Sequence, residues 1–381
     1  MRRSWFITAC AIALFTSIGI SGQNTATGPY KVLTRAKVGG EGGTDYLFAE
    51  SVGRRLYITR NATRGTPATD TQPAVAPAIP RISVFNLDTL DLVGEIPDTG
   101  GNGATVCQKT DIGFATSHPA ISMFDTKTLK LIKKIDLAQG ASGDGLYCDS
   151  FNDHAYIYSH PTKDATVLDG KDGTVLGVIA LDGVPEQSIA DGKGTLYIVM
   201  QQESNVAVVD VKSMKVRAHY DFKEKAGRCN GLALDVKNSV LFVACGQNSL
   251  TPVQGQPAQP TMVIMSATDG KILTTLPLAG SSDGAAFNPA TMEAFSAHGN
   301  GTMTIVKEKS PTTFEVEQNL DTMNGARTIT FDSKTQHLLV MSVETGPPPA
   351  PPAGATPPAG GRGGGRGAVI PGSFTIVVIG K

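Results

Sequence analysis

Five stretches of this chain are variations on one pattern. Residues 81–97 read RISVFNLDTLDLVGEIP and residues 120–138 read AISMFDTKTLKLIKKIDLA. The pattern returns at 165–182 (ATVLDGKDGTVLGVIALD), 205–223 (NVAVVDVKSMKVRAHYDFK) and 262–279 (MVIMSATDGKILTTLPLA). Each copy is an alternating apolar run, a short polar turn, and a second apolar run. Four short strands recurring at a period of roughly 40 to 45 residues form units that cannot bury their own apolar faces alone, so they must stack on one another. Stacked radially, such units close into the disc of a β-propeller.

Aligning the repeats on the apolar strand after each Gly-rich turn predicts seven inner strands, beginning near Asp45, Asn102, Asp144, Glu186, Asn230, Asp283 and Arg327. Each is followed by a hairpin and a second strand, such as RLYIT from Arg55, HAYIYS from His154 or TLYIVM from Thr195. The seventh unit has a third strand (FTIVVIG, from Phe374) and then the chain ends. A missing fourth strand would leave an open sheet edge, which is a template for aggregation. Residues 30–38 (YKVLTRAKV) form a strand with no partner of its own, so they are expected to complete the last blade. The predicted fold is all-β: a seven-bladed β-propeller of four antiparallel strands per blade, closed by the N-terminal strand.

Residues 1–22 read as a signal peptide, with Arg2 and Arg3 ahead of an apolar stretch and small residues near Ser21. The cysteine of the lipobox-like string at 7–10 sits inside that stretch rather than at its end. The stretch is shorter than the ~20 apolar residues of a membrane span. Residues 23–381 are then one domain, exported to the periplasm or secreted, with no membrane span after signal removal. Loops at 61–80, 247–260 and 346–371 are rich in Pro, Ala, Gly and Gln, and are expected to be disordered. All three join the second and third strands of their blades, so they decorate one face of the disc, and function tends to reside on such loops. A net charge of −1 argues against nucleic acid as a partner. The two arginines of GRGGGRG (361–367) do not change that.

The second strands RLYITR, AYIYS and TLYIV, with third strands that end in turns such as DTKTLK (125–130) and DVKSMK (210–215), resemble the YVTN-repeat family of exported bacterial β-propellers. The resemblance covers residues 30–381 and departs from the family pattern in the first, fifth and last blades, where the loops are long. It implies a seven-bladed fold and a protein that binds ligands or partners. It carries over no shared catalytic motif, and related propellers include lactonases, so membership leaves catalysis open.

The equivalent position at the start of each inner strand is polar in every blade: Asp45, Asn102, Asp144, Glu186, Asn230, Asp283 and Arg327. These seven are expected to ring the mouth of the central channel on the decorated face and to bind a ligand. Clustered carboxylates attract a cation. Oxygen donors alone would favour Ca2+ or an amine, although a wet channel also needs polar residues at its rim. His118, His160 and His298 end second strands on the same face and are expected behind the ring. Their blades are too far apart for all three to share one zinc at ~2.1 Å. No nucleophile–base motif such as G-x-S-x-G or H-E-x-x-H is present.

Cys229 and Cys245 would face each other across a tight hairpin and form a disulfide; Cys107 and Cys148, on neighbouring inner strands, point either at each other or away. The expectation is a monomeric, non-catalytic propeller that binds a small molecule or an envelope protein, with no cofactor unless the acidic mouth holds Ca2+. The alternative is a lactonase-like hydrolase using a divalent cation there.

Overall fold

Seven four-stranded antiparallel sheets stand around a central axis, and their inner strands are the seven that the repeat alignment picks out. The structure is a computed structural model describing residues 28–65, 67–68, 74, 76–249, 258–347 and 367–381. Strands are numbered β1 to β28 along the chain. The inner strands are β2 (Leu47–Glu50), β6 (Ala104–Cys107), β10 (Gly143–Asp149), β14 (Pro185–Ala190), β18 (Gly227–Asp235), β22 (Ser282–Asn288) and β26 (Ile329–Asp332). Each sheet adds its next three strands outward, so six blades run in simple order. The seventh runs β26, β27 (His337–Ser342), β28 (Thr375–Gly380), then β1 (Lys31–Lys37). The protein is a seven-bladed β-propeller. The predicted signal peptide, residues 1–22, lies outside the described residues.

Why the second strands read as continuous apolar runs follows from the packing. A blade is covered on both faces, by the blade before it and the blade after it, so alternate side chains serve different interfaces. In β15 (Thr195–Met200), Tyr197 and Val199 pack toward the fifth blade while Leu196, Ile198 and Met200 pack toward the third. The buried apolar residues separate into seven clusters, one for each interface between neighbouring blades. Outermost strands such as β17 (Lys215–Asp221) meet water on one side and alternate between exposed and half-buried.

The N-terminal strand closes the ring by joining a blade built otherwise from the far end of the chain. β1 pairs antiparallel with β28, from Lys31 opposite Gly380 to Lys37 opposite Thr375. Tyr30, just ahead of it, is locked to the sixth blade. Gln318 accepts from the Tyr30 amide at 3.0 Å and donates to its carbonyl at 2.8 Å. The Tyr30 hydroxyl donates to Glu293, and its ring stands edge-on to Phe295 at 5.1 Å.

Both cysteine pairs are bonded. Cys107–Cys148 joins the inner strands of the second and third blades, settling the orientation that parity leaves open. Cys229–Cys245 joins directly opposed residues of β18 and β19 (Val240–Gln247).

Of the loops predicted as disordered at 61–80, 247–260 and 346–371, the first and third pair their described ends. Thr63 bridges Ala78, and Thr345 bridges Val369. The Gly346 amide reaches the Ala368 carbonyl at 2.8 Å. Each bridge continues the hairpin from which its loop springs, and backbone pairing of that kind does not depend on the Pro and Ala composition that prompted the expectation.

Candidate functional site at the channel mouth

In every blade, regular pairing fails at the ring residue. In the first, second and seventh blades the inner strand begins only after Asp45, Asn102 and Arg327. In the third to sixth, a register shift falls at the ring residue: within Gly143–Leu146, Pro185–Ser188, Cys229–Gly231 and Ser282–Gly284. A bulge re-aims the side chain it releases, and here the released side chains meet around the axis.

They form one chain of contacts. Arg327 pairs with Asp45 at 2.9 Å and with Asp283 at 2.8 Å. Asn230 donates to Asp283 at 2.6 Å and to Glu186 at 3.4 Å. Gln201 also donates to Glu186, and Asn102 donates to Asp144. His160 closes the remaining gap, its Nε2 lying 3.1 Å from Asp144 Oδ2 and 3.8 Å from Glu186 Oε1. All seven ring residues predicted from the repeat register therefore belong to this network.

The network has two halves of different character. In one, Arg327 holds two carboxylates; burial works against its charge, and Asp283 and Asp45 outweigh that, so its pKa rises. Burial still raises the Asp45 pKa despite Arg327. In the other half, burial would raise Asp144, but the bond to His160, the charge of that imidazole and the bond from Asn102 together offset it and the pKa falls. His160 is raised in return, because Asp144 outweighs the cost of burying its charge. Glu186 is pushed up to about 8, first by burial and then by the charge of Asp144.

The three histidines part company. His118 and His160 each lie six residues beyond the start of the aligned second strand, where Gln201 also sits, whereas His298 lies five beyond. One residue of register reverses the side chain in a strand. His160 consequently reaches the ring, while His118 bonds Ser142 Oγ at 2.9 Å on the exposed rim. His298 is sealed inside its blade interface between Ser296 and Thr302, and burial lowers its pKa to about 3. The expectation that His298 backs the ring is corrected by that single step of register.

Two cavities adjoin the ring. One, of about 510 Å3, lies between the first and seventh blades on the decorated face. Its floor includes Asp45 and Arg327, and its walls include Thr44, Met341, Val343 and Phe374. Behind Phe374, at 3.4 Å from its ring centroid, lies the Arg60 guanidinium, 1% exposed. Arg60 gives one nitrogen to the Gly39 carbonyl at 3.0 Å, and burial, then Arg81, lowers its pKa to about 10. The other cavity, of about 310 Å3, is the channel below the ring and is lined by aromatic side chains including Tyr147, Tyr158 and Phe331.

No protein-family model matches this chain, and no curated protein does. Solved structures do. A chain in the crystal structure of a mitotic checkpoint complex is similar with a TM-score of 0.63 and 10% identity, over 88% of this chain and 95% of that one. The WD40 domain of Neurospora crassa Pan2 is similar with a TM-score of 0.60 and 9% identity, over 92% of this chain and 95% of that one. At such identities the likeness shows the fold alone. The YVTN-type repeats find no matching family model, so that resemblance rests on the strands and turns themselves.

Two residues that close the channel escape the repeat alignment. Tyr46 follows Asp45 and sends its hydroxyl across to Glu186 Oε2 at 3.1 Å. Gln187 follows Glu186; its amide donates to the Ala285 carbonyl at 2.8 Å and accepts from the Leu232 and Ala285 amides at 3.0 and 2.9 Å. The signal was available. The position after the ring reads Tyr46, Gly103, Gly145, Gln187, Gly231, Gly284 and Thr328. Four of the seven are glycine, and a Cβ on one of them, Gly103, would stand 3.3 Å from Tyr46.

Proposed function

We propose that this chain is an exported, non-catalytic binding protein that takes a small amphipathic molecule into the pocket between its first and seventh blades. The observation that carries the reading is that pocket. Its volume, about 510 Å3, lies in the range of small-molecule sites, and it combines apolar walls with a charged pair, Asp45 and Arg327, at its base. Two of the three long loops meet around it, since Thr63, Arg64, Ala368 and Val369 all line it. Elaborated loops on a rigid scaffold are where binding sites concentrate. Export rests on the leader-like residues 1–22.

The test uses 8-anilinonaphthalene-1-sulfonate, an amphipathic anion, as the probe. Gly43 lines the pocket and a Cβ there meets nothing within 4 Å, so Gly43→Trp fills the space without strain. Saturable binding of one probe per chain, lost in Gly43→Trp at an unchanged melting temperature, supports the reading. Absence of saturable binding, or binding that the substitution leaves intact, rejects it.

A second reading, docking of an envelope protein on the same face, is favoured by a similar chain belonging to a mitotic checkpoint complex. Chemical cross-linking in the envelope checks it: adducts confined to lysines of the opposite face would reject it.

A further inference from the structure

We propose that the half of the channel mouth opposite Arg327 is a binding site for one divalent first-row transition-metal ion, held by Asp144, His160 and Glu186 with the Pro185 carbonyl. This goes beyond the pocket reading and does not depend on it.

The geometry is that of a coordination shell. Asp144, His160 and Glu186 each offer one donor atom, and the three atoms lie within 4.8 Å of one another. His160 Nε2 stands 2.8 Å from the Pro185 carbonyl oxygen, 3.1 Å from Asp144 Oδ2 and 3.8 Å from Glu186 Oε1. Donors bound at ~2.1 Å to one ion lie about 3.0 Å apart along an octahedral edge and about 3.4 Å apart along a tetrahedral one. The three spacings to His160 Nε2 bracket those edges, and the Asp144 and Glu186 oxygens, within 4.8 Å of each other, can draw together on one ion by side-chain rotation.

Charge points the same way. Arg327 engages Asp45 and Asp283, on the far side of the ring. Asp144 and Glu186 are left with one imidazole and the neutral amides of Asn102, Gln201 and Asn230. A protonated His160 reaches Asp144 at 3.1 Å and Glu186 only at 3.8 Å, so it pairs closely with one of the two carboxyl groups. A divalent ion engages both.

The scaffold is rigid where it needs to be. Asp144 and Glu186 come from the bulged starts of adjacent inner strands, and His160 follows directly on β11 (His154–Ser159). Asn102 orients Asp144, while Gln201 and Tyr46 hold the two oxygens of Glu186. Outer partners of this kind fix ligand orientation and tune affinity. The donor set selects the metal class. Calcium prefers six to eight oxygens, whereas one imidazole nitrogen among oxygens suits Zn2+, Mn2+, Fe2+ or Co2+.

The experiment is calorimetric titration of the chelator-stripped mature chain with ZnCl2, MnCl2 and CaCl2 separately, beside a Co2+ absorption spectrum. The expected result is one Zn2+ or Mn2+ per chain, bound more tightly than Ca2+. Affinity falls by more than about 10-fold in His160→Gln and in Asp144→Asn. His219→Gln, an exposed histidine on an outer strand, leaves it unchanged. The Co2+ spectrum of the wild type shifts on binding and changes again in His160→Gln, which reports a nitrogen ligand even if affinities move little. No stoichiometric binding of either transition metal overturns the proposal. So do tighter binding of Ca2+ and a titration that His160→Gln does not alter. Because the probe pocket lies across the mouth, Gly43→Trp leaves metal binding untouched, so failure of one reading is distinguishable from failure of the other.

Discussion

The hydroxyl of Tyr46, on the first blade, lies 3.1 Å from Glu186 Oε2, on the fourth, so one side chain spans the channel mouth and ties opposite sides of the disc together. The span stands at the axial cavity, which Tyr46 and Glu186 both line. It also supplies a donor to a carboxyl whose pKa is pushed up to about 8 by burial and by Asp144. Burial raises the Tyr46 hydroxyl far above its ordinary range as well, so it remains a donor at every physiological pH.

Removing that hydroxyl alone isolates its worth. Tyr46→Phe keeps the ring that fills the space beside Gly103 and deletes only the bond across the mouth. A buried hydrogen bond contributes about 1 kcal/mol net, and leaving its partner unsatisfied costs up to about 3. The urea midpoint should fall by the equivalent of about 1 to 3 kcal/mol with an unchanged slope. An unaltered midpoint would show that the span does not hold the blades together.

How much of this was legible beforehand depends on which residues obey the repeat. Ring members such as Asp144 and Asp283 were readable because each blade repeats one register, and counting from an aligned strand finds the same position seven times. The strand at the N-terminus was readable because a blade one strand short needs a partner. What the repeat hides are residues that act by departing from it. Tyr46 and Gln187 occupy a position that is glycine in four other blades, and their role exists only where those blades converge. His160 and His298 look alike in sequence, and one residue of strand register sends one to the ring and the other into the core. The pocket by Arg327 is also invisible in the sequence, because it is built from residues about 40 and 370 along the chain.

The two disulfides should differ in what their loss costs. Cys229 and Cys245 are 16 residues apart and lie on one hairpin, whereas Cys107 and Cys148 are 41 apart and join two blades. Chain entropy assigns about 3 kcal/mol to the first and about 4 to the second. Replacing each pair by serine and measuring denaturant unfolding checks the order. Thiol counting of the denatured, unreduced chain should find none of these four cysteines free.

Closure by β1 makes a sharper claim. Deleting residues 30–38 exposes the edge of β28 and also removes Tyr30, whose amide and carbonyl are both held by Gln318. Two blades lose a partner at once. The truncated chain should unfold in a broad transition at lower denaturant and associate through the bared edge. A single cooperative transition at the wild-type midpoint would rule out the closure as a determinant of stability.

His298 makes the fold sensitive to acid. It is 0% exposed, and the side chains bonded to its two ring nitrogens are the hydroxyls of Thr302 and Ser296. No carboxylate figures among the causes of its shift, which is burial alone, and its pKa falls from 6.5 to about 3. The unfolded chain therefore takes up a proton near pH 6.5 that the folded chain refuses until about pH 3. The contribution is fully present above pH 6.5 and is lost progressively as the pH falls toward 3. Within that window the slope approaches about 1.4 kcal/mol per pH unit for one proton. Carboxylates titrate across the same range, so the measurement is a difference: urea unfolding of wild type and His298→Gln at pH 7, 5 and 4. The substituted glutamine carries no titrating group, so the gap in stability between the two proteins should narrow or reverse on acidification. Curves that stay parallel from pH 7 to pH 4 would mean that His298 takes up its proton in the folded state, and that the interface around it opens to water.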